Sequence, residues 1–277
     1  MPNLMSYKNK RVVITGCYSG MGEATARLLL ELGAEVHGLD YQVSKLDLAS
    51  FNQLDLRDPA SIDAAVARIY GKIDVLFNCA GVSGTFAPLD VFKVNYIGPR
   101  RLTDLLAPRI APGGAIACIA STAGFAWQRQ VAELKPLIEI TDYAQAVAWC
   151  EERLKGAGDA YSLSKATIII WTQIAAAALI KRGVRMNCIL PGPTQTPFME
   201  AQVKVTPEAA IDAFTQPINR RSTPEEQAWP LVFLGSDAAS YVNGVALPVD
   251  GGFVGGVATG EIDLAKLFGA NPKAQAQ

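Results

Sequence analysis

The sequence has very little of three features that many enzymes use: histidine, paired cysteines and an excess of charge of one sign. Its single histidine, His37, cannot build a Ser-His-Asp triad or a multi-histidine metal site, and no metal is expected. The five cysteines stand far apart, at positions 17, 79, 118, 150 and 188. An odd number without a CxxC pair argues against a disulfide framework. Acid–base chemistry in this chain must therefore use another type of side chain.

The charge balance and the apolar runs exclude further classes of partner. Lys and Arg number 25 against 26 Asp and Glu, so no basic excess indicates a nucleic-acid or anionic-membrane partner. The most apolar run, residues 166–180, is shorter than the roughly 18–20 residues of a membrane span and favours a buried helix. The first residues lead directly into a strand-like segment, without the apolar region of a signal peptide. We therefore expect a cytoplasmic protein.

What the sequence does have is a regular alternation of short apolar strands and helical patterns. Half of its 277 residues are hydrophobic, which is enough for a large core, and no linker or internal repeat divides the chain. The pattern predicts strands at 11–15, 35–39, 75–78, 115–120, 185–189 and 246–249, and helices at 21–32, 59–70, 91–106, 163–180 and 224–234. We therefore predict one α/β domain over residues 1–277, with a doubly wound, Rossmann-type parallel sheet between two helical layers.

One region, residues 125–159, interrupts this alternation. Within it Tyr143, Val147, Cys150 and Leu154 are spaced i, i+4, i+7 and i+11 and form one apolar helical face, which Thr141 or Asp142 would open. The region is interpreted as an inserted helical hairpin. A C-terminal extension, residues 253–277, follows the last strand.

The first predicted strand runs into a glycine-rich turn and then directly into a helix. Glycines at 16, 20 and 22 let the backbone approach a pyrophosphate, whose charge the helix N-terminus meets. Asp40 ends the second strand, where a carboxylate can accept hydrogen bonds from both ribose hydroxyls of an adenosine. It would repel a 2′-phosphate, and neither the glycine turn nor Tyr41 offers a basic residue to receive one. The segment therefore predicts NAD rather than NADP.

A Tyr-x-x-x-Lys pattern occurs twice, at Tyr41/Lys45 and at Tyr161/Lys165. The first copy falls in a loop-like stretch and is interpreted as accidental. The second opens a strongly apolar helix, where side chains at i and i+4 share a face. A lysine ammonium, with the positive charge of a nicotinamide nearby, would favour the tyrosine phenolate and lower its pKa from about 10. Tyr161 is thus the candidate acid–base group.

From residue 10 to residue 252 the chain resembles a short-chain dehydrogenase/reductase. The resemblance is carried in order by residues 15–22, Asn78-Cys79-Ala80-Gly81, Ser121, Tyr161-x-x-x-Lys165 and residues 191–196, with Cys79 where a second asparagine is usual. It implies catalysis by Ser121, Tyr161 and Lys165, a proton-relay water bound by Asn95, and an adenine held by Asp55. The cofactor-binding residues that it implies are Gly16, Ser19, Gly20, Met21, Gly22, Asp40, Asp55, Leu56, Asn78, Ala80, Gly81, Tyr161, Lys165, Pro191, Gly192, Thr194 and Thr196.

The interval of 40 residues between Ser121 and Tyr161 departs from most members of that family, which have about a dozen residues there. The extra hairpin resembles the insertion of bacterial 3α-hydroxysteroid dehydrogenase/carbonyl reductases. In those enzymes the inserted helices cover the surface that other members use to form a tetramer. The resemblance therefore implies a homodimer.

The resemblance implies an NAD-dependent oxidoreductase that interconverts a secondary alcohol and a ketone. Phe125, Trp127, Phe198 and Met199 flank the catalytic positions in sequence and suggest an apolar substrate pocket, suited to a hydroxysteroid or a terpenoid. Two alternatives stay open. One is a related reductase of other specificity, such as an acyl-carrier ketoreductase or a sugar dehydrogenase. The other is a regulator that binds a dinucleotide without turnover.

Overall fold

A seven-stranded sheet organises the computed structural model, which describes residues 3–155 and 159–268. The strands are β1 (Arg11–Thr15), β2 (Glu35–Asp40), β3 (Ser50–Gln53), β4 (Ile73–Asn78), β5 (Ile110–Ile119), β6 (Arg185–Pro191) and β7 (Ala246–Val249). Their order is β3-β2-β1-β4-β5-β6-β7, and every neighbouring pair is parallel. The strand order reverses beside β1, and the carboxyl ends of the strands open there into a crevice, as expected for a ligand site in such a sheet.

Helices cover both faces of the sheet, as the sequence predicts. They are α1 (Gly20–Glu31), α2 (Pro59–Ala67), α3 (Pro88–Phe92), α4 (Gly98–Leu106), α5 (Val131–Glu139), α6 (Tyr143–Arg153), α7 (Ala160–Leu179), α8 (Pro197–Gln202), α9 (Glu208–Asp212), α10 (Pro224–Gly235), α11 (Phe253–Thr259) and α12 (Leu264–Phe268). On one face Leu29 of α1 and Leu231 of α10 are buried in one apolar cluster. On the other face Leu102 of α4 and Ile169 of α7 belong to a second cluster. The doubly wound α/β fold is confirmed.

The short helices α8, α9, α11 and α12 were not predicted, and two further differences have a physical reason. The edge strand β3 was not expected, because its four residues, Ser-Phe-Asn-Gln, contain one apolar side chain and show little strand pattern. The helix expected over residues 91–106 is interrupted by a π-helical turn at Lys93–Ile97. Pro99 has no backbone N–H and its ring would collide with the carbonyl group four residues earlier, so the widened turn accommodates it.

The inserted region folds as the expected helical hairpin, α5 and α6, onto its own subunit. The Asp142 carboxylate caps α6 by accepting a hydrogen bond from the Gln145 backbone nitrogen at 2.9 Å. The Tyr143 hydroxyl donates to the Leu56 carbonyl oxygen at 3.1 Å, and Cys150 is fully buried. Of the insertion, residues 156–158 lie outside the described part of the chain, as do residues 269–277 of the C-terminal extension.

Helix α7 carries the apolar run noted in the sequence. By length and composition alone it could cross a membrane, yet 56% of its most apolar window is buried inside the chain. Its side chains Ile168, Ile169 and Trp171 pack in the core between the sheet and the inserted hairpin. This packing agrees with the interpretation of the run as a buried core helix, and it places the start of α7 at the crevice.

Candidate active site

The glycine-rich turn connects the end of β1 to the start of α1 and forms one end of a cavity of about 1040 Å³. A Cβ atom at Gly16, whose φ is +76°, would lie 2.7 Å from the backbone nitrogen of Ala80. A Cβ atom at Gly22 would lie 2.1 Å from the Gly16 carbonyl oxygen. Only glycine fits these positions, and the bare backbone at a helix N-terminus suits the pyrophosphate of a dinucleotide. The residues of this turn therefore fit the expected cofactor.

Asp40 lies on the cavity wall next to the glycine turn. One carboxylate oxygen accepts a hydrogen bond from the Tyr18 backbone nitrogen at 2.9 Å, and the other accepts one from the Gln42 nitrogen at 2.9 Å. Two backbone donors thus hold the carboxylate in place at the end of β2, where a ribose would lie.

A basic residue near Asp40, Arg57, was missed by the sequence argument. It also lines the cavity, and its guanidinium stacks 5.6 Å from the centre of the Tyr41 ring. The guanidinium donates to both carboxylate oxygens of Asp55, at 2.9 and 2.7 Å, and this hydrogen bonding lowers the Asp55 pKa. The sequence signal was available in Asp55-x-Arg57. Contrary to the prediction, a basic residue is therefore present at this end of the cavity, but the Asp55 carboxylate already binds it.

Ser121, Tyr161 and Lys165 meet on one wall of the same cavity. Ser121 follows β5, where its hydroxyl accepts a hydrogen bond from the Ala123 nitrogen at 3.1 Å and begins a short 3₁₀ turn. Tyr161 and Lys165 lie one turn apart on α7. The Lys165 ammonium is 5.6 Å from the centre of the Tyr161 ring and donates to the Ile119 carbonyl oxygen at 3.1 Å. Three segments distant in sequence therefore form one acid–base cluster.

Burial shifts the pKa values of both ionisable members of this cluster. It raises the pKa of Tyr161 to about 12, although interaction with Ser121 lowers it in part. It lowers the pKa of Lys165 to about 8, because the ammonium loses hydration. From the sequence, the lysine ammonium, with the positive charge of a nicotinamide nearby, was expected to lower the tyrosine pKa. In the structure desolvation is the largest influence on the Tyr161 pKa, and a lowering by Lys165 is not seen.

The side chains of Asn95 and Asn78 are buried and form hydrogen bonds within the fold. The Asn95 amide donates to the Val82 carbonyl oxygen at 3.1 Å and to the Ser164 hydroxyl at 3.0 Å, and it accepts from the Val82 nitrogen at 2.8 Å. It thereby ties the segment after β4 to α7. Asn78 was predicted to bind cofactor. Its side chain is instead buried and donates to the Thr103 hydroxyl at 2.9 Å, because β4 points it into the sheet–helix layer.

Two of the four residues predicted for the substrate pocket line the cavity. Phe198 and Met199 line the cavity, and the Phe198 ring lies 5.9 Å from the Tyr161 ring. Phe125 and Trp127 are not among the lining residues, which corrects the prediction. The chain passes through two 3₁₀ turns after Ser121, so that Phe125 packs edge-on to Phe253 and Trp127 packs on the core.

The remaining predicted cofactor residues line the cavity. They are Ser19, Gly20, Met21, Leu56, Ala80, Gly81, Pro191, Gly192, Thr194 and Thr196. Several apolar residues that the sequence did not predict also line the cavity, namely Phe86, Val205, Ile211 and Phe214. Most of these belong to irregular segments around α8 and α9, where no hydrophobic periodicity indicates which side chains face inward.

Comparisons with known proteins agree with this geometry. A family model described as short chain dehydrogenase matches residues 10–132, and one described as enoyl-(acyl carrier protein) reductase matches residues 142–254. A coniferyl-alcohol dehydrogenase from Pseudomonas sp. strain HR199 is 36% identical over 90% of this chain and 98% of its own length. A 3-alpha-hydroxysteroid dehydrogenase/carbonyl reductase from Comamonas testosteroni is 33% identical over 87% of this chain and 95% of its own.

A solved structure shows the same likeness in three dimensions. The 3-alpha-hydroxysteroid dehydrogenase from Pseudomonas sp. B-0831, complexed with NADH, superposes with a TM-score of 0.75 at 32% identity. The match covers 91% of this chain and 99% of the other. Family models, relatives and fold therefore agree, and the chain belongs to the short-chain dehydrogenase/reductase family as an oxidoreductase of the alcohol dehydrogenase/carbonyl reductase type.

Proposed function

We propose that the protein uses NAD to interconvert a bulky, uncharged secondary alcohol and its ketone. The observation that carries this proposal is the meeting of Ser121, Tyr161 and Lys165 at a cavity wall beside apolar side chains. Among the described lining residues the only cations are Lys165 itself and Arg57, which Asp55 already binds. An anionic substrate would therefore find no free counter-charge next to the catalytic groups.

In the oxidising direction, Tyr161 acts as the base that takes the hydroxyl proton of the substrate. The Ser121 hydroxyl donates a hydrogen bond to the same oxygen, and a fixed donor of this kind is worth about 3 kcal/mol in the transition state. The chemistry that a bound nicotinamide supplies is hydride transfer at its C4 carbon. Lys165 holds the ribose and stabilises the phenolate. Asn95 holds Val82 and Ser164 in place beside the catalytic groups, so that the proton can be released towards solvent. In the reducing direction Tyr161 donates the proton instead.

A second substrate class is favoured by one comparison. The relative at 36% identity is named for coniferyl alcohol, a flat aromatic primary alcohol, whereas the relative at 33% identity is named for hydroxysteroids. Both kinds of compound are uncharged and contain hydrophobic rings, and both suit a cavity lined by Phe86, Phe198 and Phe214. Aromatic allylic alcohols are therefore the alternative to steroid and terpenoid alcohols.

The proposal is tested by NADH formation with a panel of alcohols at saturating NAD. The panel contains hydroxysteroids, terpenoid alcohols, simple cyclic alcohols, aromatic allylic alcohols and sugars, with an acyl-carrier ketoester assayed in the reducing direction. We expect the highest kcat/KM with a bulky apolar alcohol. Preference for a sugar or an acyl carrier would assign another specificity. Tight dinucleotide binding without turnover of any member would indicate a regulator.

Cofactor choice is expected to depend on Asp40. A carboxylate that two backbone donors hold at the ribose should repel a 2′-phosphate, so NAD should be preferred over NADP by at least tenfold in kcat/KM. Asp40→Ala should narrow this ratio. Asp47→Ala, which removes an exposed acid from the following loop, should leave it unchanged. Equal efficiencies in the unmodified enzyme would contradict the proposal and would mean that Arg57 leaves Asp55 to bind the phosphate.

The assembly is proposed to be a homodimer. The α5–α6 hairpin packs on α7 within its own subunit, while Trp229 on α10 remains 50% exposed. We expect light scattering at micromolar concentration to give a mass of about two chains, with the two-fold contact formed by α10 and β7.

Two charge insertions distinguish the possible interfaces. Trp229→Glu should shift the protein to monomer, because it places a charge in the proposed contact. Ile174→Glu, on the exposed side of α7, should leave the dimer intact. A mass near four chains in the unmodified protein, or dissociation by Ile174→Glu alone, would reject this assembly.

A further inference from the structure

Asp159 lies on the cavity wall at the N-terminus of α7, two residues before Tyr161. Its carboxylate accepts a hydrogen bond from the Ser162 backbone nitrogen at 3.0 Å, and its second oxygen accepts one from the Ser162 hydroxyl. These contacts cap the helix and fix the position of the carboxylate. The same helix therefore carries the catalytic phenol and, within one turn of it, a fixed negative charge.

This carboxylate is not paired with a cation in the described part of the chain. Within residues 3–155 and 159–268, no Lys or Arg side chain forms an ion pair with Asp159, in contrast to Asp55, which Arg57 binds. Two other acids on the cavity wall, Asp40 and Asp90, also form no ion pair among the described residues, but they lie on β2 and α3. Asp159 is thus the unpaired carboxylate at the start of the helix that carries Tyr161.

The groups that face Tyr161 come from several elements. Its own helix contributes Asp159 and Lys165, whose ammonium is 5.6 Å from the ring. The turn after β5 contributes the neutral Ser121, and α8 contributes the apolar Phe198. The helix that carries the phenol therefore also presents one ammonium and one carboxylate to the cavity, and a change in a nearby charge alters how readily a phenol loses its proton.

We propose that Asp159 is a positioning residue that favours the protonated form of Tyr161 and so shifts to higher pH the range in which the enzyme oxidises its alcohol. The inference rests on the proposed function. Burial is the main cause that raises the Tyr161 pKa, and the negative charge of Asp159 raises it further. Removal of that charge should make the phenolate easier to form, so that oxidation extends to lower pH. Because Asp159 is exposed to solvent, its effect should weaken as salt is added.

The test compares Asp159→Asn with the unmodified enzyme. Asparagine also caps helices well, so the fold of α7 should be kept. We expect the acidic limb of the pH profile of kcat/KM for alcohol oxidation to move down by about half a pH unit at low ionic strength. The shift should shrink in concentrated salt. The matched control is Asp142→Asn, which removes the equivalent capping charge from α6, and it should leave the profile unchanged.

A second measurement separates this inference from the choice of substrate. The ionisation of Tyr161 can be followed by ultraviolet difference titration with dinucleotide bound, using Tyr161→Phe as the reference. Asp159→Asn should lower the midpoint even if no tested alcohol is turned over, in which case the proposed function fails and the inference holds. An unchanged midpoint, or an equal shift in Asp142→Asn, would overturn the inference. A profile that shifts equally at high and low salt would also contradict it.

Discussion

Tyr161→Phe is expected to lower kcat by roughly 10³-fold or more while the dissociation constant for NAD stays nearly unchanged. The substitution removes one oxygen, the one that exchanges a proton with the substrate, and keeps the ring that packs beside Phe198 at 5.9 Å. Lys165, which holds the ribose in the proposed mechanism, is untouched. Steady-state kinetics with the best alcohol, together with calorimetric titration of NAD, would measure the two effects separately.

The sequence provides an internal control in Tyr41, which also stands four residues before a lysine. The Tyr41 side chain is 58% exposed and contacts Arg57 at the end of the cavity where Asp55 lies. Tyr41→Phe should therefore have nearly normal kcat. If both substitutions lowered kcat to the same extent, the assignment of Tyr161 as the base would be wrong.

Lys165→Met is expected to have the second largest effect, with loss of both NAD affinity and turnover. The lysine is buried and its ammonium contacts the Ile119 carbonyl oxygen, so no other described side chain on that wall can replace its charge. We expect kcat/KM to fall by at least about 100-fold. The NAD dissociation constant should rise by about tenfold or more, because a charged hydrogen-bond donor to the ribose is lost.

The pH dependence of the residual activity of Lys165→Met shows whether Lys165 raises or lowers the pKa of Tyr161. In the unmodified chain burial raises the Tyr161 pKa to about 12, so oxidation should be fastest on the alkaline side. The Lys165→Met variant lacks the nearby positive charge, and its acidic limb should move to still higher pH. Lys45→Met, in the accidental copy of the motif, should show neither effect. A normal pH profile in Lys165→Met would exclude an electrostatic role for the lysine.

The glycine turn and the Tyr161–Lys165 pair could be predicted because they are encoded locally, whereas Ser121 was expected from the resemblance to short-chain dehydrogenases. A strand, three glycines and a helix determine the backbone at residues 15–22, and the spacing of Tyr161 and Lys165 places them on one helical face. The order of these segments along the chain resembles that of a short-chain dehydrogenase, which predicts a parallel sheet that brings them together. The observed sheet is parallel.

The walls of the cavity could not be predicted in the same way. Sequence proximity to Ser121 suggested Phe125, yet its ring packs on Phe253, while Phe214, far along the chain, lines the cavity. The pairing of Arg57 with Asp55 likewise depends on side-chain geometry at the end of a loop. Such contacts are decided by tertiary packing, which a single sequence does not reveal through periodicity.

The hairpin between Ser121 and Tyr161 also has a consequence for chain entropy. Lengthening the connection from about 12 to about 40 residues raises the free-energy cost of loop closure by only about 1 kcal/mol. Burial of a single leucine such as Leu137, which is fully buried in α5, contributes roughly 1.5–3 kcal/mol in the opposite direction. The relative placement of the two catalytic hydroxyls depends on how α7 packs against β6 and against the 3₁₀ turn that Ser121 begins, and the length of the connection matters little. A chain with this architecture can therefore gain or lose a folded segment at this point while its catalytic groups stay aligned.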